Sequence, residues 1–180
     1  MGRKEVSFVM IVVTQIIGFG AVGLYLLSYQ LKKRKQIVWV TCISNALYVL
    51  QYVLLGAFSG AVMDITSTVS SFLAAKKNEA PFNRYSKALI WSNMIAIALI
   101  GSISAYLQGE WLEILPIFGA LFQTGGLWFD DEQTIRKFGL CSAPFWLVYN
   151  YTSGAYGPAL GSVFAIVSII VSMVRYRKKV

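Results

Sequence analysis

Asp64 is the acidic residue set well inside a long apolar stretch of this sequence, and it has no basic neighbour along the chain. An ionisable group in such a stretch costs about 2.5 to 3.5 kcal/mol to insert into a bilayer, so it normally faces a cavity or a partner. The chemistries this suggests are proton coupling and recognition of a cationic or hydroxylated solute. The plainer reading puts Asp64 in the first turn of its helix, where the N-terminal dipole and headgroup water favour a carboxylate.

Asn45 and Asn150 fall within two other apolar stretches, and Trp146 lies one helical turn before Asn150. Amide side chains both donate and accept hydrogen bonds, and an indole face stacks on planar rings, a set suited to a neutral polar solute. Gln15, Gln123 and Thr124 extend this set from two further stretches. For all of these the competing role is interhelical glue, hydrogen bonds that hold helices together.

Other chemistries have less to work with. The chain has no histidine, so imidazole relays and the commonest zinc and haem ligand are missing, and no metal or cofactor is expected. Cys42 and Cys141 both lie in apolar segments and suggest neither a disulfide framework nor a metal site. Asp130-Asp131-Glu132 reads as a solvated loop, and the glycines of Gly18 to Gly23 as close helix contacts, since no strand precedes them to make a nucleotide motif. Asp64 has no paired acid, base or nucleophile nearby in sequence, so the chain is not read as an enzyme.

The elements that must position these residues are membrane helices. The chain is 57% hydrophobic and 13% charged, with a mean hydropathy of +0.61, well above soluble composition. At roughly 20 apolar residues per span, 180 residues hold six or seven spans in a single membrane domain, 1–180. Seven segments can be marked: 7–29, 37–56, 58–75, 88–107, 111–129, 138–153 and 156–174. The first follows Arg3-Lys4 without a small-residue cleavage site and reads as a retained span. Pro116 and Pro144 fall inside the fifth and sixth, where membrane helices tolerate a kink.

Seven spans put fourteen of the sixteen Lys and Arg residues on one face, leaving Arg3 and Lys4 on the other. By the positive-inside rule the N-terminus is then outside and the C-terminus cytoplasmic. The net charge of +8 is thereby a membrane feature, with no nucleic-acid partner implied. Arg175 to Lys179 read as snorkelling cations, and Trp39, Trp91, Trp111 and Trp128 as interfacial anchors.

The chain also repeats itself. Gln51-Tyr52 followed by Gly56-Ala57-Phe58 is echoed, with one residue deleted, by Asn150-Tyr151 followed by Gly154-Ala155-Tyr156. Two three-helix units in one orientation need an odd number of helices between them. The reading is therefore an all-α 3+1+3 parallel repeat: bundles 7–75 and 111–174, linker helix 88–107 and basic tail 175–180.

At Gly23 to Gln30, Leu54 to Phe58 and Trp146 to Asn150 the sequence resembles the YgjV-type family of bacterial inner-membrane proteins, grouped with SWEET, PQ-loop and PnuC-type transporters. Asn45-Ala46-Leu47-Tyr48 is similar to the Asn-x-x-Tyr run of the vitamin-transporting relatives, whereas the first two spans lack the hinge prolines of the sugar transporters. The resemblance implies a permease of the bacterial inner membrane, moving a neutral or weakly polar metabolite between two bundles. Asn45, Asn150, Gln15 and Gln123 would be its hydrogen-bonding contacts, Trp146 a stacking surface and Asp64 a polarity or proton switch. Its partners would be the lipid bilayer and the solute, and a homo-oligomer is compatible. The alternative is a structural or receptor-like membrane protein that transports nothing.

Overall fold

In a bilayer every backbone N–H and C=O must be paired within the protein, and helices do this locally. The computed structural model describes residues 3–55, 58–109, 111–152 and 156–176, and they form seven α-helices with no strand among them. These are α1 (Arg3–Gln30), α2 (Arg34–Leu55), α3 (Phe58–Lys76), α4 (Phe82–Gln108), α5 (Leu115–Leu127), α6 (Glu132–Thr152) and α7 (Tyr156–Arg175). The Gly56-Ala57 and Gly154-Ala155 parts of the repeated motif, and Arg177 to Lys179 of the basic tail, lie outside the described residues.

The helices follow the apolar segments closely, with one correction. The fifth segment is divided: Trp111–Ile114 is a 3-10 turn, and α5 begins only at Leu115. Pro116 therefore sits in the first turn of a helix, where its missing N–H has no partner to lose, and is not a mid-span kink. Pro144 lies inside α6, which runs on through it. Gly109 ends α4 in the left-handed conformation (φ 71°), its N–H returning to the Ala105 carbonyl at 3.0 Å.

Among the described residues four stretches are long and apolar enough to cross a membrane: Val12–Gln30, Arg34–Leu54, Phe82–Leu107 and Gly157–Arg175. The 13 residues of α5 span only about 20 Å against a hydrocarbon core of about 30 Å. By length alone α3 and α6 would reach across, but both carry more polar side chains.

These polar residues point inward. Ser44, Asn45, Asp64, Ser67, Ser71 and Gln123 are buried, whereas Phe19, Trp91, Leu99, Ile103 and Phe164 are exposed. An apolar outside around a polar inside is the arrangement lipid demands. Helix contacts close a ring in the order α1, α2, α3, α5, α6, α7 and back to α1. Outside the ring, α4 packs on α3 and α5 through a stripe of one helical face, Asn93, Ile97 and Gly101.

Matching hydrogen bonds tie the ring. Ser44 Oγ on α2 donates to the Ala21 carbonyl of α1 at 2.8 Å, and Ser142 Oγ on α6 donates to the Gly119 carbonyl of α5 at 2.7 Å. Donor and acceptor of the second bond each lie 98 positions after those of the first, the interval that also separates Tyr52 from Asn150.

Candidate functional site

Inside the ring lies a cavity to which all six of its helices contribute. Tyr25 on α1 and Gln123 on α5 both line it, 98 positions apart. The same interval separates Tyr48 from Trp146 and Asp64 from Ser162, which line it as well. Its free space is about 40 Å³. That holds one or two waters at about 30 Å³ each and is far below the roughly 300 to 1,000 Å³ of ligand pockets.

Five of the seven residues singled out from the sequence meet here: Asn45, Asp64, Gln123, Trp146 and Asn150. Gln123 Nε2 donates to Asn45 Oδ1 at 3.2 Å, and Asn45 Nδ2 donates to Ser71 Oγ at 3.3 Å, linking α5, α2 and α3. Asn150 Oδ1 accepts from the Tyr52 hydroxyl at 3.2 Å. Trp146 packs against Gly119, where an added Cβ would come 2.7 Å from the indole nitrogen. That nitrogen is a buried donor with no acceptor among the described residues.

Asp64 is 6% exposed and lies beyond the first turn of α3, roughly 9 Å from Phe58 at 1.5 Å per residue. The helix-end placement is therefore corrected. Its backbone carbonyl accepts from Thr68 Oγ1 at 2.7 Å. Among the described residues its carboxylate has no ion pair and no hydrogen bond, unlike Asp130 and Glu79, which each pair with two cations.

Gln15 does not join this group: it is exposed on α1 beside Gly157, outside the cavity lining. Thr124 turns back to its own helix, donating to the Ala120 carbonyl at 2.6 Å. Sequence reasoning did not assign Tyr25, Tyr48, Tyr52 or Ser162 to the site. The signal was present: aligning the halves at a constant 98 positions sets Tyr52 opposite Asn150, whereas the motif alignment had set Gln51 there. Gln51 is instead buried against Gly18.

The basic end of the bundle is also built. Arg34 donates from Nη2 to the Leu127 and Ala74 carbonyls at 2.8 and 3.0 Å, and from Nε to the Phe129 carbonyl at 2.8 Å. Arg136, 1% exposed, does the reverse, donating to the Leu31 carbonyl at 2.8 Å and the Tyr29 carbonyl at 3.3 Å. Leu127 and Phe129 lie 98 positions after Tyr29 and Leu31. Arg34 on α2 thus caps carbonyls at the ends of α5 and α3, and Arg136 on α6 those at the end of α1. Lys77 donates to the Trp128 carbonyl, and Arg175 to Gln30 Oε1 at 3.1 Å. These cations do more than orient the chain. Trp128, expected as an interfacial anchor, is 8% exposed, in a core cluster with Ile37, Val38 and Ile135.

Asp130 completes this end with Lys77 at 2.8 Å and Arg34 at 3.6 Å. The Lys77 hydrogen bond, helped by the Arg34 charge, holds its carboxyl below the ordinary value. Asp131 Oδ2 accepts from the Thr134 N–H at 2.8 Å and caps the start of α6.

Apolar-surfaced helices around a buried polar cavity define an integral membrane protein, embedded in the lipid bilayer. The chain belongs to the Imp-YgjV family of bacterial inner membrane proteins, whose family model matches residues 12–180. Comparison with curated proteins and with solved structures finds no match.

Proposed function

We propose that this protein is a small-solute permease of the bacterial inner membrane, in which α1–α3 and α5–α7 form two parallel three-helix repeats joined by α4. The solute binds in the central cavity, and the halves rock about it to expose one side and then the other. The observation that carries this reading is the cavity itself, lined from both halves by residues at a constant interval of 98. The matched serine bonds and the arginine exchange between the halves support the repeat. In this reading the basic end is cytoplasmic, the N-terminus is outside, and the arginine exchange holds the cytoplasmic side closed. A cavity of about 40 Å³ is then the contracted state, and the solute enters a more open one.

A second reading has its own support. Asn45 with Gln123, and Tyr52 with Asn150, satisfy one another across the helices, as purely structural glue would. Uptake into proteoliposomes across a panel of sugars, nucleosides, vitamins and organic amines separates the two. Transport of at least one class, reduced by Asn45→Ala and by Trp146→Ala, is the expected result. No uptake of any class, with the cavity sealed to labelling reagents from both sides, would leave the structural reading standing.

A further inference from the structure

The cavity combines an acid that lacks a counter-ion with aromatic walls. Asp64 faces it with no ion pair among the described residues, and no lysine or arginine is in its lining. Apart from Arg3 and Lys4 at the start of α1, the described lysines and arginines gather at the basic end, Lys76 lying roughly 18 Å along α3 from Asp64 at 1.5 Å per residue. An unpaired buried carboxylate is costly, and a cation beside it removes much of that cost. Tyr25, Tyr48, Tyr52 and Trp146 are the aromatic residues of its wall. Aromatic faces attract cations through their quadrupole, most strongly where water is excluded.

The halves differ where it matters. At matched positions the first contributes Tyr25, Tyr48 and Asp64, and the second Gln123, Trp146 and Ser162. With Asn45 and Tyr52 also on the first side, that side is tyrosine, amide and acid, while the other is amide, indole and hydroxyl without an acid, with the Trp146 N–H lacking an acceptor among the described residues. That asymmetry suits a solute with two unlike ends.

From this geometry we propose that the cavity recognises an organic cation, with its ammonium or N-alkylated ring nitrogen at Asp64 and the tyrosines, and a hydrogen-bond acceptor at the Trp146 N–H. The proposal rests on the permease reading for its site and narrows the solute from neutral metabolites to positively charged ones.

Equilibrium binding to the purified full chain in detergent tests it without requiring transport. The probes are choline, benzyltrimethylammonium and N-methylpyridinium, set against glucose, uridine and the uncharged carbon isostere of choline. At least one cation is expected to bind about tenfold or more tightly than the uncharged probes, a difference of about 1.4 kcal/mol. Asp64→Glu should retain that binding and Asp64→Asn lose it. If Asp64→Asn does not fold, Tyr48→Leu is the second variant, expected to weaken cations and leave uncharged probes unaffected. Equal binding of charged and uncharged probes, unaltered cation binding in Asp64→Asn, or no cation binding would overturn the proposal. Uptake of uncharged solutes without cation binding would overturn it and spare the permease reading. Cation binding without uptake of any solute would do the opposite.

Discussion

The Tyr52 hydroxyl on α2 donates to Asn150 Oδ1 on α6 at 3.2 Å, and the two residues stand one repeat interval, 98 positions, apart. Positions equivalent under a two-fold axis touch each other only on that axis, so on the proposed repeat this bond marks the pivot between the halves. Both residues are buried, at 4% exposure each. Tyr52→Phe should lower stability in detergent by about 1 kcal/mol, the usual net worth of a neutral hydrogen bond. A double-mutant cycle with Asn150→Ala should return a coupling of about 0.5 to 1.5 kcal/mol. Additive effects would mean that the two side chains do not act on each other.

Gly119 and Gly125 sit on the same helix but should respond oppositely to alanine. A Cβ at Gly119 would lie 2.7 Å from the Trp146 indole nitrogen, whereas at Gly125 the nearest atom is 3.5 Å away, an ordinary contact. Gly119→Ala should therefore cost about 1 to 3 kcal/mol through overpacking. Gly125→Ala should be neutral or stabilising by up to about 1 kcal/mol, the helix propensity gained. Thermal melts of the two proteins side by side decide this, and equal effects would refute the packing argument.

Much of the scaffold was legible because lipid imposes apolar runs on membrane helices, and the segment ends fall near the helix ends. Hydropathy missed the first turns of α6, where Glu132 to Lys137 are polar except for Ile135 yet helical under the Asp131 cap. It also could not tell that Pro116 begins a helix. In the cavity, Asp64 and the asparagines stood out because polar groups are costly in a span. Tyr25, Tyr48 and Tyr52 did not, since tyrosine is at home in spans and at interfaces alike. The capping arginines were invisible for another reason. Their partners are backbone carbonyls on helix ends roughly a hundred residues away, and a carbonyl has no residue type to read.

The paired loop acids predict a pH dependence. Asp130 titrates below its unfolded value of about 3.9 because Lys77 bonds its ionised form. A lowered folded value means that this stabilisation is fully present above about pH 5 and is lost as pH falls through the folded value. Asp130 is 74% exposed, so solvent screening limits the effect to less than about 1 kcal/mol. Asp130→Asn should lower the melting temperature slightly at pH 7 and by less near pH 3. A variant equally destabilised at both pH values would show that the ion pair is not the cause.

If Arg34 and Arg136 hold the cytoplasmic side closed, weakening either should open it. Arg34 caps carbonyls at the end of α5 and Arg136 those at the end of α1, so Arg34→Gln and Arg136→Gln remove connections between the halves; Arg34→Gln also removes the bond to the Ala74 carbonyl of α3, while Ser44 to Ala21 is left in place. With Cys42 and Cys141 replaced by alanine and a cysteine introduced for Ser162 in the cavity wall, a membrane-impermeant thiol reagent reports access. In inside-out vesicles labelling should rise several-fold in either arginine variant, and in right-side-out vesicles it should fall or stay unchanged. Arg136 is buried, so its loss also carries a folding cost of about 1 to 3 kcal/mol for each carbonyl left unsatisfied. Arg34, half-buried, gives the cleaner readout. Labelling that rises equally from both sides would indicate a loosened bundle, and unchanged labelling in both vesicle types would mean that the arginines cap helices without gating the cavity.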